Sequence, residues 1–253
     1  MIKLIIKNLF FIPFLVVTLS ACDWDMFKMD NYEYPNATLQ GGIMDEATGA
    51  LVETDIQNGS RLQLQEVGRP AGLTTMVVKQ NGEYCHKMWF AGTYNIDFNA
   101  CNFYPFNYGE LTIKKGVNNV DFKVTPYIRV KNVNIRQEDT LIVATFNLQA
   151  GKPEVRLNNI RLYAGTDIYV GDQVTHYTPG GTGYSTNFTA PNNVIDENTQ
   201  YRLTINLKHE TNKNYFKYQR NYYFRVGAMA TVSGVGTIRR NYAPYTIINF
   251  KAN

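Results

Sequence analysis

Charge is scarce in this 253-residue chain: only 18% of its residues are Asp, Glu, Lys or Arg, and the formal net charge is +4. Lys3 and Lys7, in a short leader, account for two of those positive charges. A balance this weak gives no reason to expect nucleic acid or a strongly acidic partner. Helical patterning is lacking too, since no window of a dozen residues carries a helical apolar stripe. Histidine is limited to His86, His176 and His209, none with a second His at metal-ligand spacing. Cysteine is limited to Cys22, Cys85 and Cys101.

The residues of a catalytic constellation are equally hard to find. His209-Glu210 lacks the helical HExxH pattern of a zinc protease, and Ser185 lacks the second glycine of a nucleophile elbow. Cys85 and His86 are adjacent, and neighbours in a strand point to opposite faces, so they do not form a nucleophile–base pair. Asp45-Glu46, Glu138-Asp139 and Asp196-Glu197 read as solvated carboxylates in turns. Gly180-Gly181-Thr182-Gly183 lacks the Lys-Ser/Thr of a phosphate loop and reads as a flexible loop. No enzyme, no metal and no cofactor are expected.

What is present begins with an address. Lys3 and Lys7 precede an apolar run from Leu9 to Leu19, too short to span a bilayer and interrupted by Pro13. Leu19-Ser20-Ala21-Cys22 follows and resembles a bacterial lipobox, in which the cysteine is cleaved free and lipidated. Residues 1–21 are therefore expected to be a signal peptide, and residues 22–36 a lipid anchor and tether. Several acyl chains hold a protein stably where one does not. The expected location is the outer membrane. Asp23-Trp24-Asp25 partly resembles the acidic surface-export signal of Bacteroidetes-type lipoproteins, which implies a face toward the cell exterior.

Beyond the tether the dominant signal has a period of two. Leu39, Gly41 and Ile43 alternate with small or polar neighbours, as do Leu62 and Leu64, then Tyr94, Ile96 and Phe98. A second set follows Thr125-Pro126: Ile142 to Leu148, Tyr201 to Leu207, Tyr222 to Ala228, and finally Tyr245 and Ile247. Turn residues such as Asn58-Gly59, Asn81-Gly82 and Ala91-Gly92 bound these runs. Short alternating strands without helices between them predict an all-β fold of two tandem β-sandwiches, residues 37–126 and 127–253. The Gly- and Pro-bearing stretch from Thr166 to Asn198 is too long for a hairpin loop, so it is either functional or holds small strands of its own. Cys85 and Cys101 either form a disulfide, closing a loop worth about 3 kcal/mol, or stay thiols. A hairpin at Phe90-Ala91-Gly92 would set Cys85 opposite Ile96 to Phe98 and away from Cys101.

Three resemblances sharpen this reading. Gly42 to Val52, with Asn81-Gly82-Glu83-Tyr84 and Gly92-Thr93-Tyr94, resembles the transthyretin-like sandwich of carboxypeptidase regulatory domains. Tyr222-Tyr223-Phe224-Arg225-Val226 is similar to the penultimate strand of fibronectin type III or immunoglobulin-like modules. Over nearly its full length, through the lipobox, Asp30 to Leu39, Phe90 to Tyr94 and Val120 to Tyr127, the chain resembles two-domain lipoproteins of Bacteroidetes-type polysaccharide-utilisation systems. Such proteins are encoded beside SusD-type lipoproteins and TonB-dependent importers, which the resemblance implies as partners.

Sugars offer apolar ring faces and dense hydroxyls, so their receptors offer exposed aromatics beside amides and carboxylates. Two stretches supply that mixture. The first is Asn102 to Tyr108, where Phe103 and Phe106 are expected to cap the core and Tyr104 and Tyr108 to remain for ligand. The second is the long stretch, with Tyr169, Asp172, His176, Tyr177, Tyr184 and Asn187. The expected function is accessory carbohydrate binding in glycan capture and import. The alternative is a non-catalytic docking subunit of an outer-membrane complex.

Overall fold

The computed structural model describes residues 33–69, 72–173 and 177–250, so Cys22, most of the tether and His176 lie outside the described residues. Of the unit Met1–Pro35, only Glu33 to Pro35 are described, and they form no regular element.

The first sandwich is built from β1 (Ala37–Asp45), β2 (Arg61–Glu66), β3 (Thr74–Val77), β4 (Glu83–Trp89), β5 (Gly92–Asn99), β6 (Gly109–Ile113), β7 (Gly116–Asn119) and β8 (Phe122–Val124). One sheet runs β4-β1-β7, with β8 continuing beside β1 where β7 stops; the other runs β3-β2-β5-β6. The alternation in sequence sets the inner face: Leu39, Ile43, Leu62, Leu64, Ile96 and Phe122 are all buried between the sheets. Gly41 keeps the same phase because a Cβ there would meet the Val120 carbonyl oxygen at 1.8 Å. Phe98 ties the core together, edge-on to Phe103 and Phe122 and stacked on Phe106.

The second sandwich holds β9 (Ile128–Glu138), β10 (Leu141–Ala150), β11 (Arg156–Gly165), β12 (Ser185–Asn187), β13 (Gln200–Asn206), β14 (Asn221–Thr231), β15 (Asn241–Tyr242) and β16 (Thr246–Asn249). Its sheets are β13-β10-β9 and β12-β11-β14-β15, with β16 also on β14. Facing pairs such as Ile142–Ile205, Ala144–Leu203 and Leu162–Val226 fill its core. One short helix, α1 (Glu210–Tyr215), starts where the His209 side chain accepts from the Thr211 N–H. The two tandem β-sandwiches form one compact unit, Asn36–Asn253.

Five local points are decided. Phe90 and Ala91 do not turn a hairpin, because β4 pairs with β1 and β5 with β2 and β6, so the chain crosses between sheets there. Cys85 therefore faces Gln40, and no disulfide joins Cys85 to Cys101. The long stretch contains a strand of its own, β12, paired with β11. Gly180 to Gly183 is tied down at both ends. Gly180 exchanges hydrogen bonds with the buried Asn212 side chain, and a Cβ on Gly183 would meet Thr204 Oγ1 at 2.3 Å. Finally, Tyr245 and Ile247 face outward, while Ile248 and Phe250 pack on the core, which is a register one residue off the predicted one.

Candidate functional site

The two sandwiches meet on a buried polar joint. Leading it is Arg225, fully buried on β14. Its guanidinium pairs with the Glu53 carboxylate and donates to the backbone oxygens of Thr54, Gln80, Val170 and Ala243. Its plane lies 4.2 Å from the Tyr242 ring. The Gln80 amide grips the opposite sandwich at both ends, donating to Ile168 O at 2.7 Å and accepting from Val170 N at 3.0 Å. The buried Asn102 amide donates to Glu53 O and accepts from Ser60, and Asn241 donates to Asn102 O. Burial lifts the Glu53 carboxyl above its usual range even though Arg225 attracts its ionised form. Burial likewise lowers the Arg225 guanidinium.

Above this joint the surface is concave. One depression of 640 Å³ is lined by Glu53, Lys79, Gln80, Asn81, Glu83, Ile168, Tyr169, Pro244 and Tyr245. A second, of 440 Å³, shares Glu53, Asn81 and Pro244 with it and continues past Leu51, Ile128 and Lys131. Tyr169 and Tyr245 are exposed at 42% and 38%, enough to offer a ring to a ligand. Beside them Lys79 and Glu83 form an exposed pair at 3.5 Å. The cleft thus sets two aromatic rings among an ammonium, carboxylates and amides, carried on a floor that the Arg225 network holds in place.

The sequence-predicted residues do not gather into one surface. Tyr169 lines the cleft; Tyr104, Tyr108, Asp172, Tyr177, Tyr184 and Asn187 do not. Asp172 serves the joint instead, with Arg240 at 3.0 Å and the Tyr163 hydroxyl on its carboxylate. Tyr177 lies flat on Tyr215 at 3.6 Å, and its hydroxyl donates to Asn212. Its ring face is already covered. Arg161 lies over the ring of Tyr184, and Asn187 accepts from Asn159. Tyr104 sits under Lys152 with its hydroxyl on Glu154, and Tyr108 packs edge-on to Phe122. Phe103 and Phe106 cap the core as expected. Cys101 is buried, which pushes its thiol up to about 12.

Asp45 also departs from expectation: it is 4% exposed and paired with Arg129 at 2.5 Å. Burial pushes its carboxyl up, and hydrogen bonds from Arg129, Ala47 and Thr48 outweigh this, so it sits below the usual range. Tyr245, Lys79 and Asn81 were missed as site residues. The only hint in sequence was the polar turn Lys79-Gln80-Asn81. Among the described residues no three His, Cys, Asp or Glu side chains gather to hold a metal ion.

Residues 37–125 match the N-terminal domain of a protein of unknown function, DUF3823, and residues 128–245 match a domain of unknown function, DUF3823_C. A solved structure from Bacteroides uniformis, provisionally named a carbohydrate binding protein, is 43% identical. It superposes with a TM-score of 0.80 over 85% of this chain and 100% of its own. The chain belongs to the DUF3823 family. DUF3823 structures from Bacteroides ovatus and Parabacteroides merdae are each 19% identical, with TM-scores of 0.66. They cover 85% and 86% of this chain and 100% of their own, and they share its fold. No curated protein matches the chain.

Proposed function

We propose that this DUF3823 protein is a non-catalytic, lipid-anchored carbohydrate-binding protein of the cell surface, with its glycan in the cleft between the sandwiches. The observation that carries the reading is the pair of exposed rings, Tyr169 and Tyr245, over a depression that also presents Lys79, Asn81 and Glu83. Aromatic faces take the apolar sugar face, while amide and charged groups take hydroxyls. The name given to the 43%-identical relative agrees with this reading. The lipobox at Cys22 supplies the anchor, and the outer membrane, facing outward, is the proposed location.

Affinity electrophoresis and calorimetry across a glycan panel test the proposal. Binding is expected, and Tyr169→Ala or Tyr245→Ala should weaken it about tenfold, or ~1.4 kcal/mol, without lowering the melting temperature. No retardation by any glycan, or undiminished binding by both variants, removes the cleft reading.

A further inference from the structure

The first sandwich has a second distinctive end, far from the cleft. Three turns meet there, and the register shows it. Ala37, at the start of β1, lies between Trp89 of β4 and Gly116 of β7, while Gly92 of β5 faces Ile113 of β6. Val67, in the β2–β3 turn, donates its N–H to Thr93 O in the same place. Large apolar side chains stand in water on this end: Met88 at 69%, Val117 at 64%, Phe90 at 50% and Val67 at 44%. Lys114 and Lys115 are exposed between them in the β6–β7 turn, and Glu66 at this end is paired with Arg69. Apolar side chains beside exposed lysines suit a surface that sits in the headgroup layer of an anionic bilayer.

The position of the chain selects that occupant. Asn36, the first residue of the folded unit, accepts from Gly116 N at this same end. Ahead of it the sequence carries Cys22 and the apolar run, and a fully extended tether from Cys22 to Asn36 spans at most about 50 Å. We infer that the end bearing Met88, Phe90, Val117, Lys114 and Lys115 docks on anionic lipid headgroups. β1 then runs away from the membrane for roughly 27 Å toward Asp45, which lines the cleft. Docking on this end turns the cleft outward. The inference goes beyond glycan binding and takes its cellular meaning from the anchor, but its test needs no lipid on the protein.

Residues 36–253 contain both cores and every described strand, so this unlipidated unit is the protein to assay. Co-sedimentation should show binding to phosphatidylglycerol–phosphatidylcholine vesicles at low salt, and much less at high salt or with phosphatidylcholine alone. Lys114→Glu with Lys115→Glu should lower the partition at least about tenfold. Met88→Ser with Phe90→Ser is the second variant, and it should lower the partition with the lysines intact. Failure to bind anionic vesicles, or binding unchanged by both variants, overturns the inference. So does self-association that Phe90→Ser abolishes, which would give the face to a second copy. Tyr169→Ala should leave vesicle binding unchanged, and the lysine variant should leave glycan binding unchanged, so the two proposals fail separately.

Discussion

The two ends of the first sandwich solve opposite problems with opposite chemistry. At the junction end, charges turn inward: Asp45 and Asp55 are buried and Glu53 half-buried, and they meet Arg129, Tyr242 and Arg225 of the second sandwich. At the far end, apolar groups are exposed: Met88, Phe90 and Val117 stand in water. Apolar contact is non-directional and would let two sandwiches slide. Charged hydrogen bonds from a planar guanidinium are directional, and leaving them unmade inside a protein is costly. The joint therefore fixes one geometry, and that geometry is what holds Tyr169 and Tyr245 over a shared cleft. The far end fixes no geometry within the protein.

The comparison breaks most visibly at Arg225. Arg225→Met keeps much of the volume but strips Glu53 of its partner and four backbone carbonyls of a donor. The expected cost is about 3–5 kcal/mol in urea denaturation, with separate transitions for the two sandwiches. Adding Glu53→Gln should recover part of that loss, since it removes the stranded charge. A loss below about 1 kcal/mol would mean the joint is held by something else.

Asp45 gives a smaller, pH-dependent version of the same test. Asp45→Asn should cost about 2 kcal/mol near neutral pH by loss of charged hydrogen bonds to Arg129. Its folded pKa is depressed, so the stability it contributes is present above the unfolded value of about 3.9 and lost as pH falls through the folded one. The variant should therefore show a flatter acid limb than the natural protein. Glu53 works in the other direction. Its folded pKa is raised by burial, so ionising it costs stability as pH rises through that raised value, and Glu53→Gln should remove that slope.

How much of this could be read in advance follows from which forces are local. Period-two runs such as Leu62–Leu64 and Tyr222 to Ala228 announced the strands and their buried faces. β3 escaped notice, being short and largely polar; β12 was foreseen only as one alternative for the long stretch, and α1 is too brief to make a stripe. Arg225 sits in the polar phase of β14, where alternation predicts solvent; the first sandwich covers it, and no local pattern signals that. The cleft was half legible for the same reason. Tyr169 stood out in a glycine-bearing stretch, while Tyr245 read as a strand residue because its register depends on β14. Tyr177 and Tyr184 looked available only because their partners, Tyr215 and Arg161, are distant in sequence.

The smallest effect on folding belongs at the far end, and that smallness is informative. Met88→Ser with Phe90→Ser removes two large apolar side chains, which in a core would cost several kcal/mol. Here both side chains already face water in the folded protein, so the unfolded chain exposes little more of them. Urea denaturation should place the double variant within about 0.5 kcal/mol of the natural protein. A larger loss would show that the far end is packed like the core and not held open. A loss within that range leaves Met88 and Phe90 as large apolar side chains whose exposure folding does not relieve, the kind of patch that a binding surface covers.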